Sequence, residues 1–113
     1  MNVALEGYDA VAYTGSGKAV RGSSAHTTDW NDKEWQFESE ESARSFAADP
    51  DRFAPQFEGN CAFAMSLGKD VPGSPKHFVV RDGKVYLQSN PVAAMLFRLI
   101  PGRVGAATDN WRH

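Results

Sequence analysis

The chain has 113 residues, of which 42% are apolar and 23% charged, and a formal net charge of −2. These are values for a soluble globular chain with room for one domain over residues 1–113, and they argue against disorder. The 12 basic residues are scattered singly against 14 acidic ones, which sets nucleic-acid binding aside because phosphate neutralisation needs clustered Lys and Arg. The longest apolar run, Val92 to Phe97, is far short of the roughly 20 residues of a spanning helix, so no membrane span is expected. The first residues, Met1 to Glu6, lack the basic flank and apolar stretch of a signal peptide. That points to the cytoplasm, or to the periplasm or cell envelope if a leader was removed.

Val11 to Tyr13 and Ala19-Val20 flank the glycine-rich Thr14 to Lys18 and predict two short strands around a turn. The tetrapeptide GSGK lacks the upstream glycine of a phosphate loop, so it is read as a turn. His26 to Trp30 and Lys33 to Phe37 predict a hairpin closed by Asn31-Asp32, with Thr28 facing Trp35 and His26 facing Phe37. Ser39 is a helix N-cap, Glu40 and Glu41 suit the positive end of the dipole, and Ala43, Phe46 and Ala47 carry the helical spacing up to Asp49-Pro50.

Asn60 to Leu67 has the composition of a short buried helix stopped by Gly68, with Asn60 as the candidate cap. Asp82-Gly83 between alternating apolar runs predicts a second hairpin pairing Phe78 with Leu87 and Val80 with Val85. Asn90 as cap, Pro91 at the first position, and Val92, Met95, Leu96, Leu99 and Ile100 at helical spacing predict an amphipathic helix. Arg103 to Trp111 adds one more short helix, with Trp111 packing back. No internal repeat is read. The class is α+β, a single small domain of antiparallel β-hairpins packed with short α-helices.

Cys61 is the only cysteine, so no intrachain disulfide forms and its role is open. Behind an Asn60 cap it would lie in the first turn of a helix, where the backbone N–H groups favour a thiolate. Its neighbours Ala62, Phe63, Ala64 and Met65 equally suit a core. As soft or borderline metal ligands it has Met65, His26, His77 and the terminal His113, none at a recognisable ligand spacing. Asp9, between Tyr8 and Val11, is either a turn-forming residue or a charge partner for a site. Paired-carboxylate and Cys/His nucleophilic catalysis find no supporting spacing.

The stretches EGYDAVAY (6–13), DWNDKEWQFESEESARSFAADPDRFAPQF (29–57), GNCAFAMSLG (59–68) and DGKVYLQSN, with IPG and DNW after them, resemble the small stand-alone bacterial YHS-domain proteins over nearly the whole chain. The resemblance implies a compact α+β domain and transition-metal handling of the copper type, while the soft and borderline ligand types would suit a copper or zinc ion. It also implies an envelope location. The thiolates of the metal-associated version are replaced here by Ala12, Glu38 and Ser42, which leaves Cys61, with Tyr8 and Asp9 as pocket companions and His26, His77 or Met65 completing the ligands. The expectation is a non-enzymatic binding domain built around Cys61. The alternatives are a single-thiol redox protein cycling through a sulfenic acid, or a protein-interaction module using Trp30, Trp35 or Trp111, with self-association left open.

Overall fold

Left-handed backbone at two successive non-glycine residues is uncommon, and this chain adopts it twice in the same sequence setting, at Leu5-Glu6 before Gly7 and at Phe57-Glu58 before Gly59. The computed structural model describes residues 2–111. It divides into two compact units, Met1–Ala54 and Pro55–His113, each opened by one of these turns. Helices and antiparallel hairpins occur in both, so the α+β class holds.

The first unit runs through β1 (Asn2–Val3), α1 (Ala12–Gly15), β2 (Ser23–Trp30), β3 (Lys33–Phe37), α2 (Glu40–Ala48) and α3 (Pro50–Phe53). Its sheet has the order β1-β3-β2, with β1 parallel and β2 antiparallel to β3. Asn31 and Asp32, both at positive φ, make the expected tight turn. Thr28 faces Trp35 as predicted, whereas Phe37 pairs with Ser23 rather than His26, because residues 24–26 bulge out of the ladder. The segment read as a strand at Val11 to Tyr13 is instead the start of α1. Ser39 caps α2, its hydroxyl accepting from the Ser42 amide. Trp35 stacks on Phe46 at 4.7 Å and Trp30 meets the same ring edge-on at 5.8 Å, closing a core with Phe37, Ala43 and Ala54.

The second unit contains α4 (Ala62–Ser66), β4 (Ser74–Arg81), β5 (Lys84–Gln88), α5 (Pro91–Leu99) and α6 (Arg103–Trp111). Both predicted pairs, Phe78 with Leu87 and Val80 with Val85, are present. Asn90 caps α5 by accepting from the Ala93 amide at 2.8 Å. Trp111 packs edge-on against Phe57 at 5.9 Å. The core gathers Phe57, Met65, Val79, Tyr86 and Phe97 around Ala62, Ala94 and Ala107.

The two units are copies of one supersecondary plan, which corrects the reading of a chain without internal repeats. At a constant separation along the chain, the register Ser23 to Phe37, Thr27 to Gln36, Thr28 to Trp35 recurs as Ser74 to Gln88, Phe78 to Leu87, Val79 to Tyr86, with the irregularity at the same place. The bridge between Tyr8 and Arg21 recurs between Asn60 and Pro72. The bonds from Asp9 N to Val20 O and from Gly22 N to Gly7 O recur as Cys61 N to Val71 O and Gly73 N to Gly59 O. Helices α2 and α5 span equivalent residues behind equivalent caps. Gly22 and Gly73 are required by close approach: an added Cβ would lie 2.5 Å from the Gln36 backbone in one copy and 2.6 Å from Gly59 O in the other. The repeat is faint in sequence because identities such as Glu6/Glu58, Gly7/Gly59, His26/His77, Phe46/Phe97 and Pro50/Pro101 are scattered, while other buried positions differ, as in Tyr13/Met65, Trp35/Tyr86 and Phe37/Gln88.

Candidate functional site

Asp9 is fully buried, yet each carboxylate oxygen is occupied. Oδ1 accepts from the amides of Val11 at 2.8 Å and Ala12 at 3.3 Å, and Oδ2 from the amide of Glu38 at 3.0 Å. Of the two roles open to it, the turn-forming one is realised, and this is why α1 replaces the expected strand. Beside it, Tyr8 is buried and its hydroxyl accepts from Arg21 Nη1 at 3.4 Å, with the guanidinium 5.0 Å from the ring centre. Burial, reinforced by Tyr8, Asp9 and Glu6, pushes the Tyr13 phenol well above its ordinary pKa.

Cys61 holds the place in the second unit that Asp9 holds in the first. It is the N-cap residue of α4, with no side-chain cap bond, and only 1% exposed. The expected Asn60 cap fails because Asn60 is drawn into the bridge with Pro72 and the Cys61 amide donates to Val71 O at 2.7 Å, which starts α4 one residue later. The sulfur therefore lies outside the first turn of a helix that is only five residues long. A thiol is only a weak acceptor for the amide bonds that a carboxylate takes, and Gln88, equivalent to Phe37, supplies the acceptor instead. Its Oε1 takes the Cys61 thiol at 3.6 Å and the Phe63 amide at 3.0 Å. Gln88 is itself fully buried and its Nε2 has no hydrogen-bond partner among the described residues. Sequence reasoning passed over Gln88; the signal was an amide closing a strand whose alternation calls for an apolar residue.

The other expected ligands are distributed as follows. His26 is half-buried on β2 in the first unit, with Tyr8 and Asp9, and His77 is half-buried on β4 in the second. Met65, 3% exposed, packs in the core of the second unit, its amide donating to Cys61 O and its carbonyl accepting from Asn110 Nδ2 at 2.7 Å. His113 lies outside the described residues. Among the described residues no group of three or more His, Cys, Asp or Glu could hold a metal ion. The polar neighbour of the sulfur is an amide whose oxygen is already shared and whose nitrogen is a donor. These residues do not fit a copper or zinc ion, which takes a gathered set of thiolate, imidazole or carboxylate donors.

The most unusual surface lies on α5. Ala93, Ala94 and Phe97 face the core, while Val92, Met95 and Leu99 are 59%, 50% and 70% exposed, with Ile100 just beyond them at 38%. The apolar spacing that predicts an amphipathic helix thus marks the outward face, because the two alanines let α5 approach the sheet closely and Phe97 fills the space beside Tyr86 at 5.4 Å. In α2 the positions equivalent to Val92, Met95 and Leu99 are Glu41, Arg44 and Ala48, and Arg44 pairs with Glu40 at 2.7 Å. The first unit holds ten of the fourteen acidic side chains and five of the twelve basic ones, the second four and seven. A surface hollow of about 650 Å³, lined by Met65, Gly68, Asp70, Asn110 and Trp111, also belongs to the second unit.

No helix of the described residues is long and apolar enough to cross a membrane. No family model matches the chain, and no curated protein or solved structure matches it.

Proposed function

We propose that this chain is a non-enzymatic binding domain of the YHS type that works by protein contact, with the outward face of α5 as its docking surface and Cys61 as a structural thiol. The observation that carries this is the contrast between the two copies. One fold places Glu41, Arg44 and Ala48 in solvent on α2 and Val92, Met95 and Leu99 in solvent on α5. The fold does not require apolar residues there, since it is built without them once in the same chain. An exposed apolar patch rimmed by polar residues is what an interaction surface presents.

The Trp residues considered for that role are engaged elsewhere. Trp35 is buried, Trp30 is half-buried and packs on Phe46, and Trp111, partly exposed, leans on Phe57. A redox role for Cys61 needs an open sulfur, and a buried thiol held by Gln88 is a poor nucleophile.

The experiment is the triple substitution Val92→Glu, Met95→Arg, Leu99→Ala, which writes the α2 surface onto α5. Chemical unfolding at a dilution where association contributes nothing is expected to change by no more than about 0.5 kcal/mol, as for solvent-facing positions. A loss of about 2–5 kcal/mol would mean that these side chains are core, and the docking surface would be rejected.

A further inference from the structure

The surface hollow of about 650 Å³ between the end of α4 and the end of α6 has room for an organic ligand. We infer that it binds a guanidinium cation, carried by a small guanidine or by the arginine side chain of a partner, through Asp70, Asn110 and Trp111. This site stands apart from the docking surface on α5 and does not depend on it.

Two segments build the hollow. Gly68, at positive φ and with its amide donating to Met65 O at 2.9 Å, turns the chain out of α4 and brings Asp70 to one side. The last turn of α6 supplies the other side. Asn110 Nδ2 donates to Met65 O at 2.7 Å, which fixes how the carboxamide lies: its nitrogen is spent on α4, and Oδ1 is left to accept. Trp111 meets Phe57 at 5.9 Å and is 38% exposed, so indole surface remains in the hollow.

The free groups are complementary to a cation. Asp70 is exposed and makes no hydrogen bond or ion pair among the described residues. No Lys or Arg lines the hollow, although the second unit carries seven basic side chains against four acidic ones. An anionic oxygen, a neutral oxygen and an aromatic surface together call for a flat cation rich in donors. Guanidinium presents its N–H groups in one plane, which suits Asp70 and Asn110 Oδ1, and its face, which suits the indole. A hard metal ion would find one carboxylate and one amide oxygen, too few to replace its water.

The shared plan of the two units does not call for this arrangement. Counted along the repeat, Asp70 falls on Lys18 or Ala19, neither of them acidic. The first unit ends at Ala54, the counterpart of Gly105, before any equivalent of Asn110 or Trp111 is reached. All three side chains are additions of the second copy.

Heteronuclear correlation NMR of the isotope-labelled full chain, titrated at constant ionic strength, tests this. The probes are N-acetyl-arginine methylamide, butylguanidinium, and N-acetyl-citrulline methylamide, which has the shape of the first probe without its charge. Both guanidinium probes are expected to shift the Asp70 amide, the Asn110 side-chain amide and the Trp111 indole N–H with millimolar dissociation constants. The citrulline probe should leave all three in place. Asp70→Asn and Trp111→Leu should each weaken binding at least about fivefold. Asp70→Asn changes an exposed group that holds no other residue, so it reads the site even if Trp111→Leu disturbs the packing on Phe57. The tighter guanidinium probe identifies the source, a partner's arginine if the blocked amino acid wins and a small guanidine if butylguanidinium does. Absence of shifts in these three signals, equal shifts with the citrulline probe, or native affinity in Asp70→Asn overturns the site.

Discussion

Cys61 Sγ lies 3.6 Å from the Oε1 atom of Gln88, and the same oxygen accepts the Phe63 amide at 3.0 Å. In the other copy of the fold one residue, Asp9, takes the equivalent amide of Val11 directly, and the position of Gln88 is occupied by Phe37. The acceptor for the start of a short helix has moved from the loop to the end of the strand. A small thiol opposite a long amide in one copy replaces a carboxylate opposite a phenyl ring in the other.

That exchange predicts coupling. Gln88→Phe alone leaves the Phe63 amide buried without an acceptor and should cost about 1–3 kcal/mol. Adding Cys61→Asp restores the arrangement of the first unit, so urea unfolding of the four members of the cycle should show a favourable interaction of about 1–2 kcal/mol. Strict additivity would mean that the two positions do not share the acceptor.

Asp9 should be among the most sensitive positions of the first unit. Asp9→Ala strands the amides of Val11 and Glu38, leaves Ala12 only its bond to the Asp9 carbonyl at 3.3 Å, and is expected to cost about 3 kcal/mol. Asp9→Asn keeps one accepting oxygen but turns a donor toward the Glu38 amide, and should fall between the two. Thermal unfolding of both variants checks the order.

Cys61 should behave as a core side chain. With 1% exposure its alkylation by iodoacetamide at neutral pH is expected to be far slower than in the unfolded chain. In an anaerobic Cu(I) competition the native chain and Cys61→Ser should be indistinguishable. Fast alkylation, or tight one-to-one Cu(I) binding lost in Cys61→Ser, would return the thiol to the centre of the function.

Alkaline pH should unfold the chain through its tyrosines. Burial raises the pKa of Tyr13 and, less strongly, that of Tyr86, which Asp82 also raises and Arg81 lowers. A raised folded-state pKa leaves stability intact below the ordinary value of 10.0 and removes it as pH climbs beyond that point, because only the unfolded chain then releases the proton. Unfolding free energy measured from pH 8 to 11 should decline at the upper end, and Tyr13→Phe should flatten the decline. An unchanged slope in Tyr13→Phe would place the alkaline loss elsewhere.

Much of the local structure is legible in the residues themselves, because its causes are local. Asn31-Asp32 and Asp82-Gly83 dictate their turns, Ser39 and Asn90 cap their helices through bonds to residues three further on, and alternation sets the pairs of Phe78 with Leu87 and Thr28 with Trp35. What tertiary structure decided depends on partners distant in sequence. The Asp9 carboxylate binds the Glu38 amide and so turns a strand-like segment into a helix. Cys61 takes its character from Gln88, and the duplicated plan shows in shared register and bridges where few identical residues remain. For α5, periodicity alone fixes that one stripe is apolar. Which stripe is buried follows from shape, since Ala93, Ala94 and Phe97 fit the surface beneath them and Val92, Met95 and Leu99 are left to meet something else.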